Sequence, residues 1–405
     1  MKDHYFLSQP HQPFFVLGFV NAIISMLVFM FIFKGIISSE ISGITYHAYS
    51  LIYLLFTPAF IAFLFTTFPR FSGTLAIPQE HFIGVLIPFT IGSLFILAGL
   101  FLSSIVVMLG MFMVLLGQLA SAKILLNIYT ISPMPSKEKS DQYWILVAMA
   151  FGIVSHLFFI LSIWIPSLHQ ISVQIAIYLY LFLLTFTVAQ RMIPFFSGNT
   201  RLDKHLDRFK VIVGLLSLHV LLEVLIPHSS FLTDFILAYL LGKEIMRWKL
   251  PFPNPNPMIW ILHLPLFWIP IAFFLSSLSS LLNLIDKTNF LFLDIHTIVL
   301  GFIFTMLIGF GTRVTLGHSG NEIKADKRTV LLFYWTQVVV VTRILTSLAV
   351  SSGWDFFVFF DISITAWLVM FGLWARRFFT TLIFKKEGKN NDNMKFGVNP
   401  NNTKI

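Results

Sequence analysis

The sequence predicts an all-α, polytopic integral membrane bundle of about twelve transmembrane helices, with both termini in the cytoplasm. Three observations predict it. The chain is 57% hydrophobic and 11% charged, with mean hydropathy +0.84. A water-facing domain carries about 25% charged residues, so most of this surface must face lipid. Apolar runs of the roughly 20 residues needed to cross a hydrocarbon core of about 30 Å recur along the whole chain. Lysine and arginine collect in alternate connections. The net charge of +9 does not mark a nucleic-acid partner, because the cations lie between apolar runs and near the C-terminus rather than along one face. There is no cysteine, which excludes disulfides, thiolate-held haem and iron–sulfur clusters.

Residues 1–13 carry Lys2 and two histidines ahead of the first apolar run. No small-residue cleavage site follows, so that run is expected to stay as a span. The first spans are expected over 14–37 and 46–68. The unbroken apolar block 83–129 is too long for one crossing, and Ser103-Ser104 divides it into 83–102 and 105–129. Spans follow over 142–166, 170–196, 209–227 and 231–249. The proline-dense stretch 251–257 holds an extended connection. The last four spans are expected over 258–284, 290–312, 329–350 and 354–380. Residues 1–386 thus read as a single bundle domain, and 387–405, rich in Asn, Lys and Gly, as a disordered cytoplasmic tail. The sequence shows no convincing internal repeat.

Orientation follows from the cations. Even-numbered connections and the tail hold Arg70, Lys137, Arg201, Lys243, Lys327 and Arg377 among others, while the odd-numbered ones offer little beyond Lys34 and Lys287.

An ionisable group inside a membrane is costly and so is a functional candidate. His47 and His296 fall near the outer starts of the second and tenth spans, and His156 in the outer half of the fifth. His263 and His318 belong to the inner half. Two axial ligands of one haem must lie at nearly one depth on facing helices, which His47 with His296 satisfies and His47 with His263 does not. Neutral imidazole also ligates copper and zinc. The bland reading of each lone histidine is a hydrogen bond to a neighbouring helix. For His219 that reading is a contact with Glu223 at i, i+4, and His169, His205 and His228 read as solvated loop residues.

Arg191 and Arg313, near the inner ends of the sixth and tenth spans, either snorkel to lipid phosphate or clamp an anion such as a haem propionate. Arg313 opens a glycine-flanked turn, Gly311 to Gly320. Arg343 falls in mid-span in the eleventh helix and requires an internal carboxylate or a wet cavity. Walker, dinucleotide-glycine and HExxH motifs are absent, and so is any large extramembrane domain. Any chemistry therefore takes place within the bundle.

Four stretches together resemble the NnrS family: Pro13-Phe-Phe-Val-Leu-Gly-Phe19, Gln190-Arg-Met-Ile-Pro-Phe-Phe196, Trp260-Ile-Leu-His263, and Asp294-Ile-His-Thr-Ile-Val-Leu-Gly301 running into Thr312-Arg-Val-Thr-Leu-Gly-His-Ser-Gly320. The last is long and specific, and the set extends from the first span to the tenth. The resemblance implies a multi-pass protein of the bacterial inner membrane, associated with haem and copper and with the response to nitric oxide. It points to haem b held by His47 and His296, with His263, His318, Arg191 and Arg313 as further family positions. Nitric oxide or iron-nitrosyl species are the ligands it implies, beside membrane lipids and without nucleic acid. One departure stands out. The family's Trp-His-Ala-His-Glu reads here Tyr46-His-Ala-Tyr-Ser50, so Tyr49 and Ser50 replace the second histidine and the glutamate. Haem on His47 and His296 survives that change, whereas a copper centre loses ligands. Two other readings compete: a transporter or permease without redox cofactor, and a quinol-linked nitric oxide reductase or oxidase.

Overall fold

The computed structural model describes residues 5–199 and 206–384. Arg201, Lys204, His205 and the segment 387–405 lie outside the described residues. The described chain is helical, with twelve long helices in chain order: α1 His11–Phe33, α2 Gly43–Phe71, α3 Gln79–Leu102, α4 Ser104–Ile131, α5 Ser140–Leu161 and α6 Ser167–Phe196. They continue with α7 Leu206–Leu225, α8 Phe231–Arg247, α9 Pro257–Asp286, α10 Leu293–His318, α11 Lys327–Ser352 and α12 Phe356–Ile383. Ten of them are long and apolar enough to cross a bilayer. α8 has only 17 residues, and α7 opens on Asp207, Arg208 and Lys210.

The division between α3 and α4 falls at Ser103. Its backbone is extended (φ −171°, ψ 153°), and its hydroxyl accepts the N–H of Val106 as a helix cap. The two helices then fold back on each other at very close range. A Cβ added to Gly99 would stand 2.5 Å from the Val107 nitrogen, and one on Gly110 would stand 2.7 Å from the Ile96 nitrogen. Small residues let membrane helices approach this closely, because packing rather than the hydrophobic effect holds them together. Gly99→Leu is therefore expected to destabilise the protein by about 1–3 kcal/mol or more. Gly84→Leu, where a Cβ meets nothing within 4 Å, is expected to be silent. Thermal melting of both variants in detergent checks this, and equal melting of the two would contradict the close contact.

The helices divide into a central and a peripheral set. In α2, α6 and α10 the most apolar window is 89%, 83% and 83% buried, against 39–50% for the other spans. These three form the core and the rest form its lipid-facing wall. Each of the three also carries one stretch of π-helix, at Ser50–Phe56, Ile175–Phe182 and Thr297–Phe304. The wide turn admits an extra residue and turns more of the helix surface inward. Thr57 and Thr305 close two of these stretches by donating their hydroxyls to the carbonyls of Ile52 and Leu300, five residues back. The Tyr180 hydroxyl donates to Thr57 Oγ1 at 3.0 Å and ties α6 to α2 at the centre.

The pattern recurs at every fourth helix, so the architecture has a three-part periodicity that the sequence conceals. Lipid-facing helices need only be apolar, and many residue choices satisfy that.

Candidate functional site

The start of α2 and the start of α10 meet at one end of the bundle. Ser42 caps α2 by accepting the Thr45 N–H at 3.1 Å, which sets the first turn that carries His47. His47 stacks on Phe29 of α1 at a centroid distance of 4.3 Å. Across from it lies His296, with ring centroids 6.2 Å apart and planes within 19°. Two imidazoles on opposite sides of one metal, with bonds of about 2.0 Å, place their ring centres about 6.3 Å apart. The observed centroid spacing is close to that value. His296 Nδ1 lies 2.9 Å from the Phe292 carbonyl, and in the tautomer that donates to it Nε2 keeps its lone pair. This is how a metal-ligating histidine is ordinarily oriented.

Arg343 of α11 stands beside the pair. Its Nη1 donates to Ser347 Oγ at 2.6 Å, and its Nη2 donates to the Leu291 carbonyl at 3.1 Å. Nη2 is also 3.1 Å from His296 Nδ1. Nδ1 thus faces both an acceptor, the Phe292 carbonyl, and a donor, the guanidinium, and the ring's tautomer sets which of the two it bonds. Asp294, two residues before His296, accepts from the Tyr178 hydroxyl at 3.4 Å. The mid-span arginine thus has partners that the sequence does not name.

His156 does not join His47 and His296. Tyr49 donates its hydroxyl to His156 Nε2 at 2.8 Å, and His156 Nδ1 donates to Gln118 Oε1 at 2.8 Å. Both ring nitrogens are therefore committed. Tyr53 stacks on the same imidazole at 4.0 Å and meets Ser155 Oγ at 2.9 Å. All of these side chains are fully buried.

His219 pairs with Asp234 of α8 rather than with Glu223. His219 Nδ1 lies 2.5 Å from Asp234 Oδ1, while Ser230 and Ser276 donate to Oδ2 at 2.8 and 2.7 Å. Glu223 instead accepts the backbone N–H of His228 at 3.1 Å.

The other candidates lie at the opposite end. His296 and His318 begin and end α10, about 30 Å apart at the rise of a helix. His263 Nε2 is 2.7 Å from Ser197 Oγ. Arg191 forms an ion pair with Asp141 at 2.9 Å and covers Phe71, and Arg313 lies over Phe196 at 4.0 Å. Neither arginine is brought to His47 and His296; Arg343 takes that place. His318 faces His11, the first residue of α1, which belongs to the segment expected to precede the first span. The signal for His11 was Pro13 two residues on, since proline is tolerated in the first turn of a helix. The central helices also enclose a small apolar cavity of about 30 Å³ between Phe15, Phe60, Phe63, Val188, Met306 and Phe310.

A family model described as NnrS protein matches residues 5–386. No curated protein matches the chain. Among solved structures, the chain is similar to one described as "Cryo-EM structure of a heme-copper terminal oxidase dimer provides insights into its catalytic mechanism". The TM-score is 0.61 at 14% identity, over 95% of this chain and 84% of that one. At that identity the likeness is one of fold.

Proposed function

Because the chain belongs to the NnrS family, we propose that it is a haem-binding protein of the bacterial inner membrane that protects against nitric oxide, with haem b held between His47 and His296. The observation that carries this reading is the 6.2 Å spacing of two nearly parallel imidazoles on facing central helices. The likeness to a protein described as a haem–copper terminal oxidase supports a haem site in such a bundle.

When bound, a haem would supply redox-active iron. The chain's own residues provide the rest. The Phe292 carbonyl, 2.9 Å from Nδ1, orients the His296 ring. The Arg343 guanidinium is the cation near enough to that ring to receive a haem carboxylate. With the basic connections on the cytoplasmic side, His47 and His296, and any haem they would hold, would lie toward the outer face.

The residues around Tyr49 do not fit a copper centre. His156 has no free nitrogen, and no group of three or more His, Asp or Glu side chains able to hold a metal occurs among the described residues.

An optical spectrum of the detergent-purified protein, oxidised and then dithionite-reduced, with iron measured on the same sample, tests the proposal. A Soret band, sharp reduced α and β bands and about one iron per chain are expected for two-histidine haem. A colourless, iron-free protein from haem-replete cells would overturn it. That result would favour a transporter, which flux into vesicles would then reveal.

A further inference from the structure

We propose that His219, Asp234 and Glu223 form a proton-binding site in the outer half of the bundle, filled from the outer aqueous phase, with His219 Nε2 as the atom that gains and loses the proton. Glu223 lies on α7 and Asp234 on α8, and one residue of the connection between these helices touches both. The Ser230 N–H donates to Glu223 Oε1 at 3.4 Å, and its hydroxyl donates to Asp234 Oδ2 at 2.8 Å. Asp234 Oδ1 in turn meets His219 Nδ1. His219 and Asp234 are fully buried, while Glu223 keeps 8% of its surface exposed. It lies beside the α7–α8 connection, which the cation pattern puts on the outer side. The cluster thus leads inward from that rim.

Charge balance requires the proton. Neither carboxylate pairs with a lysine or arginine among the described residues. An unpaired carboxylate is expensive to take out of water, so groups this close retain protons and share them as a coupled unit. His219 is arranged to carry one. With Nδ1–H donating to Asp234 in both states, only Nε2 differs between the neutral and the charged ring. That atom is buried and has no hydrogen-bond partner, so no bond breaks when it is protonated. His156 is the opposite case, with Tyr49 and Gln118 on its two nitrogens. The other elements around His219 supply no competing base. Tyr178 of α6 packs on the ring at 4.1 Å and gives its hydroxyl to Asp294 of α10, which has Arg343 of α11 within electrostatic reach. From α9 come Phe273 and Ser276, the latter donating to Asp234. On uptake, outer water gives a proton to a Glu223 oxygen. That O–H then breaks as an N–H forms at His219 Nε2, one turn away on the same face of α7, and Glu223 is again a carboxylate.

The site does not depend on the haem reading, and its test reads no haem. Full-length protein with isotope-labelled histidine and aspartate, reconstituted in phosphatidylcholine vesicles, is followed by solid-state NMR across the range in which histidine charges, about pH 5 to 8. One imidazole, correlated through space with an aspartate carboxyl carbon, is expected to convert between its neutral and charged forms in that range. Among the described residues His219 is the histidine bonded to an aspartate, so the wild type assigns the signal without any variant having to fold. His219→Gln is expected to remove it. Glu223→Gln is expected to move the conversion to lower pH by about one unit, because it takes away a negative charge that holds the proton from one turn away. An imidazole at Asp234 that keeps a single form across the range would overturn the site. So would a conversion that Glu223→Gln leaves where it was.

Discussion

His296→Ala is expected to remove the Soret band and reduce iron from about one per chain by tenfold or more, and His47→Ala is expected to do the same. Loss of a partner that merely orients a metal ligand weakens binding about 10- to 100-fold. Loss of the ligand itself must cost at least as much. The effect of either substitution should be equal, because both rings, with centroids 6.2 Å apart, would be needed to hold the iron. His156→Ala provides the control. That ring lies in the same half of the bundle, but Tyr49 and Gln118 occupy both its nitrogens, so haem should remain. Optical spectra and iron content of the three purified variants decide the matter. Full occupancy in both the His47 and His296 variants would sink the ligand assignment.

Asp234→Ala is expected to destabilise the folded protein by about 3–5 kcal/mol, the cost of breaking one partner out of a buried charge pair. Asp234 is fully buried and accepts from His219, Ser230 and Ser276 together. Its removal leaves three polar groups facing a space that water does not fill. Asp234→Asn, which keeps the shape and part of the bonding, should cost less. The double variant His219→Leu with Asp234→Leu should recover part of the loss, since replacing a buried pair by apolar residues is often close to neutral. Midpoints of thermal unfolding in detergent measure all three. An Asp234→Ala protein that melts with the wild type would show that the network carries no stability.

The fold was legible because its governing constraint is simple. A chain that must hide every peptide group from lipid within a fixed thickness declares its helices by length and hydropathy. Ser103 even marked the break between α3 and α4, for its backbone N–H closes the first helix on the Gly99 carbonyl and its hydroxyl caps the second. The π-helical stretches were not legible. They depend on which residues three neighbouring helices present to one another, and the apolar run 297–304 reads the same in either helical form.

At the site, depth along the helix was enough to bring His47 and His296 together. Pairings that depend on rotation about the helix axis escaped. His219 has Glu223 one turn away in sequence, yet it turns to Asp234 on another helix. Arg343 looked like an isolated cation, although its acceptors are a carbonyl at the start of α10 and a serine one turn along its own helix. His11 passed as an extramembrane residue because only the structure shows α1 starting there, against the end of α10.

The π-helical stretches in α2, α6 and α10 have one more consequence. Along an ordinary helix, moving one residue turns the side chain by about 100°, so both ends of a rod share a single phase. A stretch of wider turn interrupts that phase, and each central helix becomes two screws of different setting joined end to end. The ligand-bearing start of α10 is thereby geared separately from the end that carries Arg313 and His318. Evolution can reset the chemistry at one face of such a bundle by gaining or losing a residue at the joint, while the packing at the other face keeps its own register.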